Sequence, residues 1–384
     1  MRRCVRGTLV VPILALIVLA AVSAADARPS KTLPPIKIAV EAPLSGSQSS
    51  NGLDMLRGVR LAVREANAGK GVLGRRIRII RVDDKGDQAN AKRAARRAIK
   101  RRAVAVIGPY NSSVGIVNLP IYLKNRIVPV HLTSTDETRG EGVTIQPKNS
   151  QIAPVEERYV RSTGAKSIAM LVDDTANGAF TIGMADRLQK RLAKDGVAVK
   201  RISVKELADS VDATYYQAKV AEALAAKPDL IYVSTYYPEG AKIAEALAGA
   251  GTSPRCLMGL ANVDPAFIAA TTLGASRHCL FSGVPAAPQL PSAKRFVRRY
   301  RKAFRKQPGV WGVFTYDSAR ILFAAVRKAG TTAFGPVQKK LKHTKGFGGQ
   351  TGRTTIDPAT GYRVQLPFLD ILRVSEKKTF VIAP

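Results

Sequence analysis

Apolar positions along the chain alternate between two periods. Ile36-Lys-Ile-Ala-Val40 reads as a strand, and Leu56, Val59, Val63 and Ala66 follow at helical spacing. Strand patterns recur at Ile77 to Val82, Ala103 to Ile107 and Ile127 to Val130. Helical patterns fill the gaps at Ala89 to Ile99 and from about Ser112 to Leu123. Strands alternating with helices of this length predict βαβ units, hence a parallel sheet covered by helices. The pattern restarts with a strand at Ser167 to Val172, a helical face at Ile182, Ala185, Leu188 and Leu192, a strand at Val197 to Val204 and a helix at Thr214 to Ala226. Leu230 to Val233, a helix through Ile243 and Leu247, Cys256 to Gly259 and Cys279 to Ser282 complete a second α/β half. The last third is different. Two long helical patterns, Ala293 to Phe304 and Val313 to Ala329, precede a turn-rich segment and a final strand near Leu366 to Leu372. Helices placed after the second half predict that the chain crosses back to pack on the first.

The N-terminus breaks the alternation. Arg2, Arg3 and Arg6 precede an apolar run from Leu9 to Val22, and small residues follow it (Ser23, Ala24, Ala25, Asp26, Ala27). This is the pattern of a secretory signal peptide, with cleavage after Ala24 or Ala27. The run is short of the ~20 residues a membrane span needs, so residues 1–27 are expected to be removed, leaving an exported chain that does not itself span a membrane. Cys4 leaves with them. Cys256 and Cys279 remain, and in an oxidising compartment such a pair is a candidate disulfide; two free thiols buried on neighbouring strands are the alternative. The three histidines (His131, His278, His343) show no metal-ligand spacing, so neither a metal nor a cofactor is expected.

Composition sharpens this picture. The 384 residues, 46% of them apolar, suggest two domains and exclude wholesale disorder. Lys and Arg number 61 against 28 Asp and Glu, a formal charge of +33 that falls to +31 if the leader ends at Ala27. Such a surplus invites a nucleic-acid reading. The basic residues, however, cluster in Lys92 to Arg102 and Lys294 to Lys306, where Ala91, Ala94, Ala95 and Ala98, or Phe296, Val297, Tyr300 and Phe304, keep helical spacing. These are amphipathic surface helices with solvated charge, and no nucleic-acid partner is expected.

Most chemical motifs reduce to structure. Gly69-Lys-Gly-Val-Leu-Gly74 matches G-x-G-x-x-G, but a helix precedes it and a strand follows, the reverse of a dinucleotide site. Asp83-Asp84 and Asp173-Asp174 end strands without a nucleophile or a partner histidine, so no enzymatic centre is expected. The loops at the carboxyl ends of strands carry more, because open α/β sheets bind ligands there. Pro109-Tyr-Asn-Ser-Ser-Val-Gly115 opens a helix with hydroxyls and N–H groups suited to a carboxylate, which makes Tyr110 and Ser112 candidate ligand-binding residues. His131-Leu-Thr-Ser-Thr-Asp136 adds hydroxyls, and Ser234-Thr-Tyr-Tyr-Pro-Glu239 offers aromatic walls. Small polar donors on one half and aromatic cover on the other fit a small-molecule cleft between two domains.

With these residues in view, the sequence resembles the type I periplasmic binding proteins of the branched-chain amino acid (Leu/Ile/Val) ABC-transporter family over nearly the whole mature chain. The resemblance rests on Ile36-Lys-Ile-Ala-Val40, Pro43-Leu-Ser-Gly46, Gly52 with the helix to Asn67, and the Gly-Val-Leu-Gly turn at 71–74. It continues through Val82-Asp-Asp84, Ile107-Gly-Pro109 with Ser112 and Ser113, Asp229-Leu-Ile-Tyr232, and Tyr316-Asp-Ser-Ala319. It implies an α/β Venus-flytrap of two doubly wound parallel-sheet domains joined by a three-crossover hinge. One lobe would comprise residues 36–153 plus 284–345, the other 154–283 plus 346–384. It further implies the solute-binding component of an ABC importer in the periplasm, delivering its ligand to a membrane permease.

By the same resemblance Ser112 binds the ligand α-carboxylate, Thr133 and Thr135 bind carboxylate and ammonium, and Tyr236 is the aromatic wall. Three positions depart from the family pattern. Asn51 stands where an aromatic is common, Asn177 precedes Gly178 where a tyrosine is common, and the acid that pairs with the ligand ammonium falls near Ala261, with Asn262 beside it. A desolvated ammonium needs such a partner. The family default is a leucine-type amino acid; an organic or aromatic acid, or an amide, without the α-amino group is the alternative, as is a ligand-sensing role.

Overall fold

The computed structural model describes Met1 and residues 33–384 except Glu206, Thr252 and Ser253, so the expected leader with Cys4 lies, but for Met1, outside the described residues. Contacts divide the chain into Met1–Leu33 and Pro34–Pro384, and the second unit carries every element that follows.

The first sheet forms from β1 (Ile36–Ala42), α1 (Ser49–Ala68), β2 (Ile77–Asp83), α2 (Gln88–Lys100), β3 (Ala105–Ile107), α3 (Ser112–Lys124), β4 (Val128–His131) and β5 (Val143–Thr144). Its strands are all parallel, in the order β2-β1-β3-β4-β5. Helices on both faces explain why β3 and β4 are buried throughout. In α2 the alanine stripe Ala91, Ala94, Ala95 and Ala98 is buried while Lys92, Arg93, Arg96 and Arg97 stay exposed, and the Asp87 side chain caps the helix by accepting from Ala89 N–H.

The second sheet follows from α4 (Asn149–Thr163), β6 (Ser167–Asp173), α5 (Ala179–Leu192), β7 (Ala198–Val204), α6 (Ala213–Leu224), β8 (Leu230–Ser234), α7 (Tyr237–Gly249), β9 (Arg255–Met258), α8 (Pro265–Ala269), α9 (Leu273–His278) and β10 (Cys279–Gly283). The helices α10 (Lys294–Phe304), α11 (Trp311–Ala329) and α12 (Phe334–Lys342) come next, then β11 (Phe347–Gly349) and β12 (Gly352–Thr354) as a hairpin, and finally β13 (Asp370–Val374) and β14 (Phe380–Ile382). The order of the second sheet is β14-β13-β10-β9-β8-β6-β7, parallel except for β13 and β14.

The late helices return to the first sheet. A Cβ on Gly58 of α1 would lie 2.0 Å from the Gly312 carbonyl of α11, so the two helices cross at a glycine contact that no larger residue allows. Asp54 of α1, buried with its pKa raised by desolvation, accepts Tyr300 Oη–H of α10 at 2.7 Å and Gly312 N–H at 2.6 Å. The same buried carboxylate therefore fixes three helices. In the second lobe Glu156 of α4 accepts Tyr232 Oη–H at 3.0 Å and Ser282 Oγ–H at 2.6 Å, tying the helix to β8 and β10. Burial pushes that carboxyl up to about 7.

The chain passes between the sheets three times: from β5 through α4 to β6, from β10 to α10, and just before β13. The β11–β12 hairpin and the residues after it lie against the first sheet's side, since Thr351 N–H bonds Asp317 of α11 at 2.7 Å and Tyr362 pairs with Thr144. The last passage thus comes at about residues 364–370, beyond the expected 345/346 division. α4 was not legible as a helix because Pro154 and two buried glutamates, Glu156 and Glu157, interrupt its apolar stripe. The final strand begins at Asp370 rather than near Leu366 and gains β14 as a partner. Cys256 and Cys279 are register partners on β9 and β10, and their sulfurs are bonded at 2.09 Å.

Candidate functional site

Each sheet has one point where successive connections leave in opposite directions. In the first it lies between β1 and β3, in the second between β6 and β8. Loops that diverge there open a crevice at the carboxyl ends of the strands. A narrow cavity of about 10 Å³, room for little more than one water, lies where the two crevices face each other. Tyr110, Ser112, Ser134, Gln146 and Trp311 line it from the first sheet's side, and Phe180, Tyr236, Leu260 and Ala261 from the second's. No carboxylate lines it.

Ser112 opens α3, where N–H groups without helical partners favour an anion. Its Oγ accepts Thr135 N–H at 3.2 Å, so its own proton is left to donate. Burial holds the Tyr236 phenol neutral, its pKa far above the ordinary value, while the neighbouring Asn111 side chain and Ser112 backbone across the cleft act in the opposite direction. A second polar chain starts on the segment that joins β5 to α4. Gln146 Nε2 donates to Ser134 Oγ, and Ser134 Oγ–H donates to the Pro147 carbonyl at 2.7 Å. Because the serine proton is spent on that carbonyl, the amide must present its nitrogen to the serine. Gln146 Oε1 is then a buried acceptor with no hydrogen-bond partner among the described residues.

The other expected site residues surround this cavity without lining it. Thr133 turns its Oγ1 toward His131 Nδ1 (2.8 Å) and Thr138 Oγ1 (2.7 Å). Behind it Lys148, fully buried, donates to the Thr133 carbonyl and Thr138 Oγ1, both at 3.0 Å, and sits 4.6 Å over the Tyr362 ring. Desolvation brings the Lys148 pKa down to about 7 and, with Lys148 nearby, keeps His131 neutral. Thr135 reaches Ser112 through its backbone and caps the following turn with its hydroxyl. Asn51 Nδ2 lies 3.5 Å from Tyr110 Oη and supports that wall. Asn177 Oδ1 accepts Gln88 N–H at 2.9 Å, a contact between the lobes. Asn262 Nδ2 donates to the Thr235 and Gly259 carbonyls, bracing two strand-end loops. Only glycine fits beside that brace, since a Cβ on Gly240 would lie 1.8 Å from Asn262 Oδ1. Ser134, Gln146, Phe180, Leu260 and Trp311 were missed; the chain's single tryptophan, opening a helix just after Pro308-Gly309, was the signal available.

The lobes are closed on each other. Ser50 Oγ–H reaches Asp264 Oδ1 at 3.0 Å, Tyr237 Oη–H donates to the Ser47 carbonyl, and Arg187 pairs with Asp136 at 2.8 Å. Asp264 also caps α8, and burial raises its carboxyl to about 6. Among the described residues, no helix is long and apolar enough to cross a membrane and no group of three or more His, Cys, Asp or Glu could hold a metal ion.

The sequence model of one family, described as periplasmic binding protein, matches residues 35–370. A Leu/Ile/Val-binding protein homolog of Brucella abortus (strain 2308) is 26% identical over 302 residues, 77% of this chain and 79% of the relative. Among solved structures, a leucine-binding protein from Thermotoga maritima MSB8 superposes with a TM-score of 0.80 at 25% identity, over 91% of this chain and 99% of that one. An ABC-transporter solute-binding protein from Rhodopseudomonas palustris BisB5, in complex with 3,4-dihydroxybenzoic acid, gives a TM-score of 0.77 at 21% identity, over 91% and 96% of the respective chains.

Proposed function

From the premise that this chain belongs to the periplasmic binding protein family, a family of binding proteins and not enzymes, we propose that it is the exported receptor of an ABC importer. It closes on a small carboxylate-bearing solute and presents it to a membrane permease. The observation that carries this reading is the set of groups around the cavity. Ser112 offers a hydroxyl proton, and the N-terminus of α3 favours an anion. The Tyr236 hydroxyl, near Asn111 and Ser112 on the opposite wall, supports this reading.

The rest of the lining favours a ligand without an α-ammonium. Ala261 stands where the family resemblance places an acid; beyond the lining, Glu239 and Asp264 accept Ala208 and Ala266 N–H groups, and Asp173 accepts Thr175 N–H with Oδ1 while its Oδ2 is a buried acceptor with no hydrogen-bond partner among the described residues. An ammonium brought among Tyr110, Phe180, Tyr236 and Trp311 would meet no carboxylate among the residues that line the cavity. Gln146 Oε1 instead calls for a neutral donor, a hydroxyl or amide N–H, on the ligand. A carboxylate joined to a flat apolar body bearing a hydroxyl meets all three requirements. The leucine-type default rests on the names of the relatives.

Thermal shift and calorimetry with 4-hydroxybenzoate, benzoate and leucine test this. A bound ligand at 100-fold its Kd adds about 2.7 kcal/mol of stability. The hydroxy acid is expected to shift the transition most, benzoate less and leucine not at all. Ser112→Ala should weaken a carboxylate ligand by about 1.5–3 kcal/mol. A shift with leucine alone would overturn the ligand class and keep the receptor; silence from every carboxylate would count against the site.

A further inference from the structure

The positive charge is divided unequally between the lobes. With the last passage at about residue 364, residues 36–153 and 284–364 hold 38 Lys and Arg against 11 Asp and Glu, a surplus of 27. Residues 154–283 and 365–384 hold 18 against 16, a surplus of 2. Pairing follows the same division. Among the described residues, the second lobe joins Arg161, Arg191, Arg201, Lys219 and Arg277 to its own carboxylates. Within the first lobe the ion pairs are Arg299–Glu65 and Arg320–Asp317.

The unbalanced cations form one band around the edge strand β2. On one side of it, Arg81, Lys85, Arg93 and Arg97 line a common groove, and Arg97 Nε donates to the Arg81 carbonyl at 3.1 Å. On the other side, Arg60 is depressed by burial and by the charges of Arg81, Arg64 and Arg57. The band then continues to α10, where Arg64 stacks 5.1 Å over Phe304 and Arg57 lies beside Tyr300. Lys294, Arg295, Arg298, Arg301 and Lys302 extend it along the exposed face of that helix. Of the carboxylates beside the band, Asp83 lines the groove itself and Glu65 pairs with Arg299. Asp83 accepts from Leu44 N–H, Lys85 N–H and Ser45 Oγ–H, and Asp87 caps α2. Like charges held this close are relieved by a polyanion that releases their repulsion.

We propose that this band docks the receptor on an anionic phospholipid bilayer, first lobe down. The band spreads over α2, β2, α1 and α10, an extent that suits a plane of headgroups better than a single small anion. Among the described residues, the exposed positions of α2 and α10 carry no large apolar residue. On these helices the band therefore lacks the aromatic platforms that stack bases, and it has nothing to insert into lipid. The contact is electrostatic and reversible, and it holds the receptor in the layer of solution next to the membrane. The second lobe, nearly neutral, stays free to open and close.

Co-sedimentation of the whole mature chain with vesicles at low ionic strength tests the proposal. Vesicles containing phosphatidylglycerol should bind it, pure phosphatidylcholine vesicles should not, and 0.5 M salt should release it. The triple variant R81E/R93E/R97E should bind at least about 100-fold more weakly, at roughly fivefold per basic residue at an anionic surface. The second-lobe triple K190E/K194E/K227E, with the same change in net charge, should lose far less. R298E/R301E on α10 gives an independent reading if the first triple folds poorly. Equal losses in the two lobes, binding to neutral vesicles, or tighter binding to duplex DNA than to anionic vesicles at the same salt would each overturn it.

Discussion

The two lobes share a strand order around their switch points, with the first strand of each sheet flanked by the second on one side and the third on the other. They differ in almost everything that this order leaves open. The small polar groups at the cavity, Ser112, Ser134 and Gln146, come from the first lobe's side, whereas the second contributes Phe180, Tyr236, Leu260 and Ala261. The second lobe is braced by a disulfide and by paired surface charges; the first has helices crossing at glycines and an outer face of unbalanced cations. Topology decides where a ligand can sit. It leaves each lobe to choose its own chemistry and its own exterior.

The largest expected effect separates the lobes by stability. Replacing Cys256 and Cys279 by alanine removes a cross-link closing a segment with a sequence separation of 23 and should cost about 3 kcal/mol. Hydrogen exchange should show the loss at β9 and β10 and leave β1 to β4 protected; a uniform loss would mean that the lobes unfold as one unit. The next effect follows pH. Glu156 holds its proton up to about 7 in the fold and loses it near 4.5 in the unfolded chain. Between those values the folded state binds the extra proton, so stability falls as pH rises, by at most about 1.4 kcal/mol per pH unit, and the fall ends above about 7. Urea titrations at pH 5 and pH 7.5 should show a shallower fall in Glu156→Gln, and an unchanged fall would place the proton elsewhere. The smallest effect touches the contact between the lobes. Tyr237→Phe removes a hydroxyl bonded to Ser47 and Ser50. About 1 kcal/mol, or fivefold toward the open form, should appear in small-angle scattering of the unliganded protein. No change in the scattering profile would assign closure to other contacts.

Much of the fold was legible because hydrophobic periodicity is a local property. β1 to β4, β6 to β10 and most helices follow their apolar patterns to within a few residues. α4 hid behind Pro154 and its buried glutamates, whose partners Tyr232 and Ser282 are distant in sequence. The site was legible only where position in the fold implies orientation. Tyr110, Ser112 and Tyr236, in loops after β3 and β8, line the cavity. Thr133 and Ser134 are neighbours, and which of them faces inward depends on His131, Thr138 and Lys148 drawing the threonine away. Gln146 was invisible for a similar reason: it lies on a connection between lobes, and its importance comes from a serine whose proton is already committed.

That glutamine lies on the segment joining β5 to α4, one of the three connections between the lobes, two residues from the buried Lys148 and one from the carbonyl that Ser134 holds. Under the proposed function, a solute held by both Gln146 and Tyr236 would be fastened to a connection between the lobes and to the opposite wall at once. Departure would then have to wait for the lobes to part, so the residence time of the solute would report the lifetime of the closed state. Changes to that connection would alter how long cargo stays more than how fast it arrives.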